Sequence, residues 1–142
     1  MYSLAVFYDF CRANNVLLVP VQFSAPAVTM RSGDDYAIAF DFRKIPTSRF
    51  LNGVTAHESG HVATGALHKV CSPYEMWERS EYRANKWEYE HVLPAEAFRE
   101  AFSHGIVEPW ELAEYFDMPE DHIKNALAYW SEQKGYDFNS YK

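Results

Sequence analysis

Several things that would narrow the possibilities are scarce in this chain, and each shortage excludes something. Of 142 residues only two are cysteine, Cys11 and Cys71. Two thiols so far apart build no disulfide framework, and such sparse use fits a reducing compartment. No apolar run approaches the roughly 20 residues that a membrane-spanning helix needs. The start, Met1-Tyr2-Ser3-Leu4, reaches Asp9 before any positive charge and is not built like a signal peptide. A cytoplasmic protein is expected. Positive charge is short as well: 13 Lys/Arg stand against 20 Asp/Glu, for a formal net charge of −7. The first seventy residues carry six Lys/Arg against five Asp/Glu, and the rest carry seven against fifteen, so the deficit lies in the second half. An acidic half argues against nucleic acid as a direct ligand and suits a basic protein partner, while a merely solvated acidic surface would read the same. There is no internal repeat, low-complexity tract, phosphate-binding loop or convincing Ser-His-Asp set.

What is present is hydrophobic and aromatic, 48% and 17% of residues respectively, well beyond a disordered composition. The length suits one domain with a sizeable core. It divides into a helix plus sheet over 1–48, two helices over 49–94 and a helical part over 95–142. Leu4, Phe7, Tyr8 and Cys11 recur at helical spacing, which predicts a helix ending near Asn14-Asn15. Val16 to Val19, stopped by Pro20, reads as a strand. Ala27 to Met30 and Tyr36 to Phe42 read as two more, joined by a hairpin turn at Arg31-Ser32-Gly33-Asp34-Asp35. The alternation of Tyr36, Ile38, Phe40 and Phe42 predicts a sheet with one buried face. Pro46-Thr47-Ser48 gives a loop and a cap for a helix from about Arg49 to His68, and a further helix runs from Tyr74 or Glu78 to Val92. Shorter helices follow over Ala95–Ser103 and Pro109–Phe116, then one over Glu120–Gln133, with fraying expected past Gly135. The last two resemble a helix-turn-helix, but from Glu108 to Glu132 seven acidic residues accompany one lysine, Lys124. Phosphate contact leans on several Lys/Arg, so this tail reads as packing or partner surface.

Within the helix from Arg49 stands Val54-Thr55-Ala56-His57-Glu58-Ser59-Gly60-His61, an H-E-x-x-H pattern. Chance would place it in roughly one chain of this length in several hundred. Residues four apart share a helix face, so His57 and His61 can present imidazoles to one metal ion, most readily zinc, with Glu58 beside them as general base. The third ligand decides the class. An elongated motif would need Gly at 64 and His at 67, where this chain has Thr64 and Leu67, and His68 lies about 10 Å up the helix from His61. A Glu from the following helix is the other arrangement, and Ser80-Glu81-Tyr82-Arg83-Ala84-Asn85-Lys86-Trp87 offers Glu81. Asn85, four residues on, can orient a ligand histidine, and Ala84 keeps that face slim enough for two helices to approach. Gly60, Ala63, Gly65 and Ala66 are explained by the same close packing. Cys71 competes as a soft ligand, although a buried structural cysteine is the commoner explanation.

His57-Glu58-Ser59-Gly60-His61, then Glu81 to Trp87, then Leu93-Pro94 resemble the ImmA/IrrE family of small bacterial and phage metallopeptidases. The likeness takes in most of the chain. It implies an α+β, zincin-like fold of the minimal gluzincin type, with a small antiparallel-containing sheet and zinc held by two His and one Glu. It also implies cleavage of helix-turn-helix repressors of mobile elements or stress regulons. One position departs from the family: Glu88 stands where Ala is usual; seven residues after Glu81 it lies on a similar face, and it reads either as a carboxylate behind the ligands or, more plainly, as a solvated one.

The expectation is therefore a monomeric, cytoplasmic zinc endopeptidase with ligands His57, His61 and Glu81, general base Glu58, and Asn85 behind the ligands. A donor for the oxyanion is also expected, with Tyr36, His68, Tyr74 and His91 as candidates, though for each a packed aromatic or a surface histidine is the plainer explanation. The alternative is a zinc-stabilised, non-catalytic anti-repressor that sequesters a partner. Glu58 separates the two, because a structural site needs no general base.

Overall fold

The computed structural model describes residues 1–67 and 74–138. Helix α1 (Leu4–Ala13) is capped by the Ser3 hydroxyl, which accepts from the Val6 amide, and it buries Phe7 and Cys11. Strand β1 (Val16–Pro20) follows, then a hairpin of β2 (Ala27–Ser32) and β3 (Asp35–Phe40). The hairpin turns at Gly33, whose φ of 63° is a conformation glycine takes without strain. The sheet order is β1-β3-β2, with β1 parallel and β2 antiparallel to β3. The strand proline, Pro20, closes an edge strand, where its missing amide is tolerated.

The central strand ends two residues earlier than its alternation predicts. Ile38 and Phe40 are buried as expected, but Phe42 is 57% exposed. Asp41 causes the break: its carboxylate accepts from the Phe23 and Arg43 amides and pairs with the Arg43 guanidinium, opening a short 3-10 turn over Phe42–Lys44. The same hydrogen bonds from Arg43 hold the Asp41 carboxyl well below the usual carboxylate range.

Helix α2 (Ser48–Thr64) begins under the Thr47 hydroxyl, which accepts from the Phe50 amide at 3.0 Å. It stops at Thr64, short of the expected His68, because Gly65 takes a left-handed conformation, φ 65°, and turns the chain out of the helix. His68 and Cys71 lie outside the described residues, as does the Tyr74 side chain. Among the described residues four further α-helices follow: α3 (Tyr74–His91), α4 (Ala95–Ser103), α5 (Pro109–Phe116) and α6 (Glu120–Ala128). The helix expected to reach Gln133 passes at Tyr129 into a π-helical turn.

Two apolar cores result, and α2 is seated in both. Phe7, Cys11, Ile38, Phe40 and Val62 join α1 and the sheet to α2. The larger core gathers Ala56 of α2 with Leu93, Phe98, Leu112, Met118, Ile123 and other residues of the later helices. The tail helices are thus packing elements. The chain does not fray at Gly135 either: Phe138 is 7% exposed, against the rings of Phe98 and Phe102. Burying such a ring helps offset the entropy of ordering the last described residues. The architecture is α+β with a small mixed sheet. Among the described residues no helix is long and apolar enough to cross a membrane.

Candidate metal centre

Helices α2 and α3 pack along their length, and the face they share carries three converging side chains. His57 and His61, one turn apart on α2, stand edge to face with ring centroids 4.9 Å apart and an interplanar angle of 87°. The Glu81 carboxylate of α3 reaches both: Oε2 lies 2.8 Å from His57 Nε2, and Oε1 lies 3.2 Å from His61 Nε2. All three ligand atoms fall within 4.8 Å of one another, so His57, His61 and Glu81 can hold a metal ion.

The surroundings of the rings fit that use. The Nδ1 of His57 faces Asn85 Oδ1 at 2.9 Å, and the Nδ1 of His61 faces the Ala66 carbonyl at 2.5 Å. An acceptor oxygen behind each ring favours the proton on Nδ1 and so suits Nε2 to ligate once an ion replaces the proton it shares with Glu81. The early end of α2 serves this arrangement, since the left-handed turn at Gly65 brings the Ala66 carbonyl back under His61. Ser80 on α3 donates to the same carbonyl at 2.5 Å and tethers the turn to the second helix. Ligand atoms around a tetrahedral ion with bonds of about 2.0–2.1 Å stand roughly 3.4 Å apart. The two Glu81–imidazole separations, 2.8 and 3.2 Å, lie inside that distance, and the whole group lies within 4.8 Å. Burial alone disfavours the charged form of His57, but the hydrogen bond to Glu81 and the charges of Glu58, Glu81 and Glu88 outweigh it and raise its pKa to about 9. Burial likewise works against the Glu81 carboxylate, and the two imidazoles more than offset it, holding Glu81 below the usual range.

Glu58 is 7% exposed and stands outside the ligand group. Thr29 of β2 donates to its Oε2 at 2.5 Å, so the sheet fixes the orientation of this carboxylate. Both His57 and Glu58 open onto a cavity of about 260 Å³, bounded by Ala27 at the start of β2 and, from the far side, by Pro119, Asp121 and His122.

Other residues singled out in the sequence are placed as follows. His91 is exposed and stacks on Trp87 with centroids 4.7 Å apart, on the wall of a different cavity that none of His57, His61 and Glu81 lines. The spacing of α3 turns it away from the face that carries Glu81. The Tyr36 hydroxyl sits beside Gly65, 3.8 Å from where a Cβ would be. Glu88, read as solvated, is instead completely buried. Its Oε2 lies 2.7 Å from His122 Nδ1, and its Oε1 has no hydrogen-bond partner among the described residues.

Three residues that bear on this site were not singled out by their sequence context: Thr29, Glu88 in its paired role, and His122, which lines the cavity. His122 and Glu88 are 34 positions apart, so no local spacing connects them. The one available signal was the acidic residue on the ligand face of α3, seven after Glu81. A chain of contacts positions His122. The Tyr2 hydroxyl donates to Thr55 at 2.6 Å, Thr55 to the Asn52 carbonyl at 3.1 Å, and the Asn52 amide to the Asp117 carbonyl at 2.8 Å. This fixes the left-handed turn at Asp117, φ 52°, that leads through Pro119 into α6.

No protein-family model, no curated protein and no solved structure matches the chain significantly.

Proposed function

We propose that this chain is a zinc-dependent endopeptidase of zincin type, acting as a cytoplasmic monomer, with His57, His61 and Glu81 as ligands and Glu58 as general base. The observation that carries the reading is the division of labour between two adjacent residues. His57 belongs to the ligand group, whereas Glu58 is excluded from it, oriented by Thr29, and open to the cavity that His57 lines. Two imidazoles and a carboxylate are a zinc-type donor set. Zinc on these residues would polarise a carbonyl and make water acidic enough to attack near neutral pH. Glu58 takes a proton from the attacking water and returns it to the leaving amine. Asn85 and the Ala66 carbonyl keep the two imidazoles aimed. Strand β2 lies at the sheet edge with Ala27 on the cavity, which suits a peptide held extended beside it.

The substrate class comes from the sequence resemblance, and we propose a helix-turn-helix repressor of a phage or mobile element. The acidic second half suits a basic DNA-binding partner. A folded repressor offers its scissile segment only as an exposed linker or after local opening, so cleavage is slow and selective.

The test is to co-express the chain, or its Glu58→Gln form, with the helix-turn-helix protein encoded beside it, and to repeat cleavage in vitro with zinc and with a chelator. The repressor should shrink to a discrete fragment only with the wild-type chain and only with metal. A stable complex with intact repressor, equal for both forms, would support the sequestering alternative. Free cleavage of a peptide library with the repressor untouched would leave a peptidase of another specificity.

A further inference from the structure

His122 on the cavity wall and Glu88 buried behind it lie outside the group that can hold a metal ion. Glu88 is 0% exposed, and its one hydrogen-bond partner among the described residues is His122, whose Nδ1 lies 2.7 Å from it. A buried carboxylate is costly to keep unless it is well paired. Its companion is oriented with some care. His122 turns its other nitrogen, Nε2, to Gly53, where a Cβ would come within 3.1 Å of it, and the same Cβ would meet Pro119 at 2.7 Å. Gly53 precedes His57 by one turn of α2, and Gly53, His57, Glu58 and His122 all line the same cavity. Nothing bulkier than glycine at position 53 would leave His122 there.

We propose that His122 Nε2–H is the hydrogen-bond donor to the scissile carbonyl oxygen as it becomes an oxyanion, and that Glu88 is the residue that positions it. This rests on the peptidase reading and adds a catalytic residue to it. In the addition step the water oxygen bonds to the carbonyl carbon, its proton passes to Glu58, and the carbonyl π pair moves onto the oxygen facing His122. On collapse that pair re-forms the carbonyl, the C–N bond breaks, and the amine leaves with the proton from Glu58. His122 stabilises the charge throughout and transfers no proton. With Nδ1–H given to Glu88, Nε2 donates only when the ring is cationic. Burial disfavours the cation, but the hydrogen bond and charge of Glu88, with Asp121, outweigh burial and the opposing charge of His57, so the His122 pKa is raised. Glu58, from α2, also faces the cavity.

The experiment uses the zinc-loaded full chain with a quenched-fluorescent peptide pool, and a phosphinic peptide built on the best-cleaved sequence as a mimic of the oxyanion. His122→Ala should lower kcat by about 10²- to 10³-fold, with KM within about threefold and zinc content unchanged. Affinity for the phosphinic peptide should fall in step with kcat. His122→Gln, which restores an N–H donor, should recover about tenfold or more of the lost rate. Glu88→Gln should move the alkaline limb of the kcat profile to lower pH. A His122→Ala enzyme with wild-type kcat overturns the proposal and leaves the peptidase reading standing. Loss of zinc in that variant, or no recovery with Gln, would mean that His122 only supports the fold, and also overturns it. If the zinc-loaded wild type cuts nothing, the peptidase reading falls and the proposal with it.

Discussion

The backbone of Gly60 lies against the carbonyl of Ala84 so closely that a Cβ on Gly60 would meet that oxygen at 2.4 Å. The obstacle is main chain and cannot rotate away. This contact sets the spacing of α2 and α3, and with it the distance from Glu81 to His57 and His61.

Gly60→Ala should therefore force the two helices apart. Intrinsic helix propensity favours alanine by up to about 1 kcal/mol, but overpacking of this kind costs about 1–3 kcal/mol or more. The net effect should be a lower melting temperature and a larger proportional loss of zinc affinity. Thermal denaturation and competition with a chromogenic chelator measure the two. A variant as stable and as tight-binding as wild type would show that the helices do not depend on this contact.

Thr29→Val removes the hydroxyl that orients Glu58 and keeps the side-chain shape. Hydrogen bonds to charged groups contribute about 1.5–3 kcal/mol, so kcat should fall by roughly 10- to 100-fold while one zinc per chain remains. Glu58→Gln should abolish turnover and also keep the metal. Steady-state kinetics beside metal analysis tests both, and loss of zinc in either variant contradicts the role given to Glu58.

Glu81→Ala should lose metal and activity together, because it removes one of three ligands. Asn85→Ala should be milder, since it only releases the His57 ring, and about 10- to 100-fold in zinc affinity is expected. Equal effects of the two substitutions would mean that Asn85 does more than orient the ring.

Stability should carry a pH signature of the Glu88–His122 pair. The folded pKa of His122 is raised above its ordinary 6.5. Its contribution is therefore complete below about pH 6.5 and is lost as pH rises through the raised value. Glu88→Gln removes that contribution, so the stability gap between wild type and variant should be widest on the acid side and narrow above neutrality. Denaturant titrations of both proteins between about pH 5.5 and 9 measure it, and a gap independent of pH would deny the pairing.

Much of this could be seen in the sequence because the chemistry there is local. His57 and His61 share a face because the helix repeats every 3.6 residues, and Gly60 and Ala84 mark themselves as a close approach by having little or no side chain. The hairpin at Gly33, the Thr47 cap and the run of short helices are likewise written in nearest neighbours. Helix ends were less legible. Whether α2 continued past Thr64 turned on the left-handed Gly65, whose purpose is a hydrogen bond from His61 to Ala66. Glu88 illustrates the limit most sharply: one acidic residue on a helix reads as solvated until its partner is known. Only the packing of α6 over α2, held by Asn52 and Asp117, buries it against His122, 34 residues away. Periodicity within one helix determined that His57 and His61 pair, and the following helix offered Glu81 as a candidate that only the packing of α3 on α2 brings to them. Which groups face these ligands across the cavity was decided by contacts between elements, and these depend on the packing of the whole core.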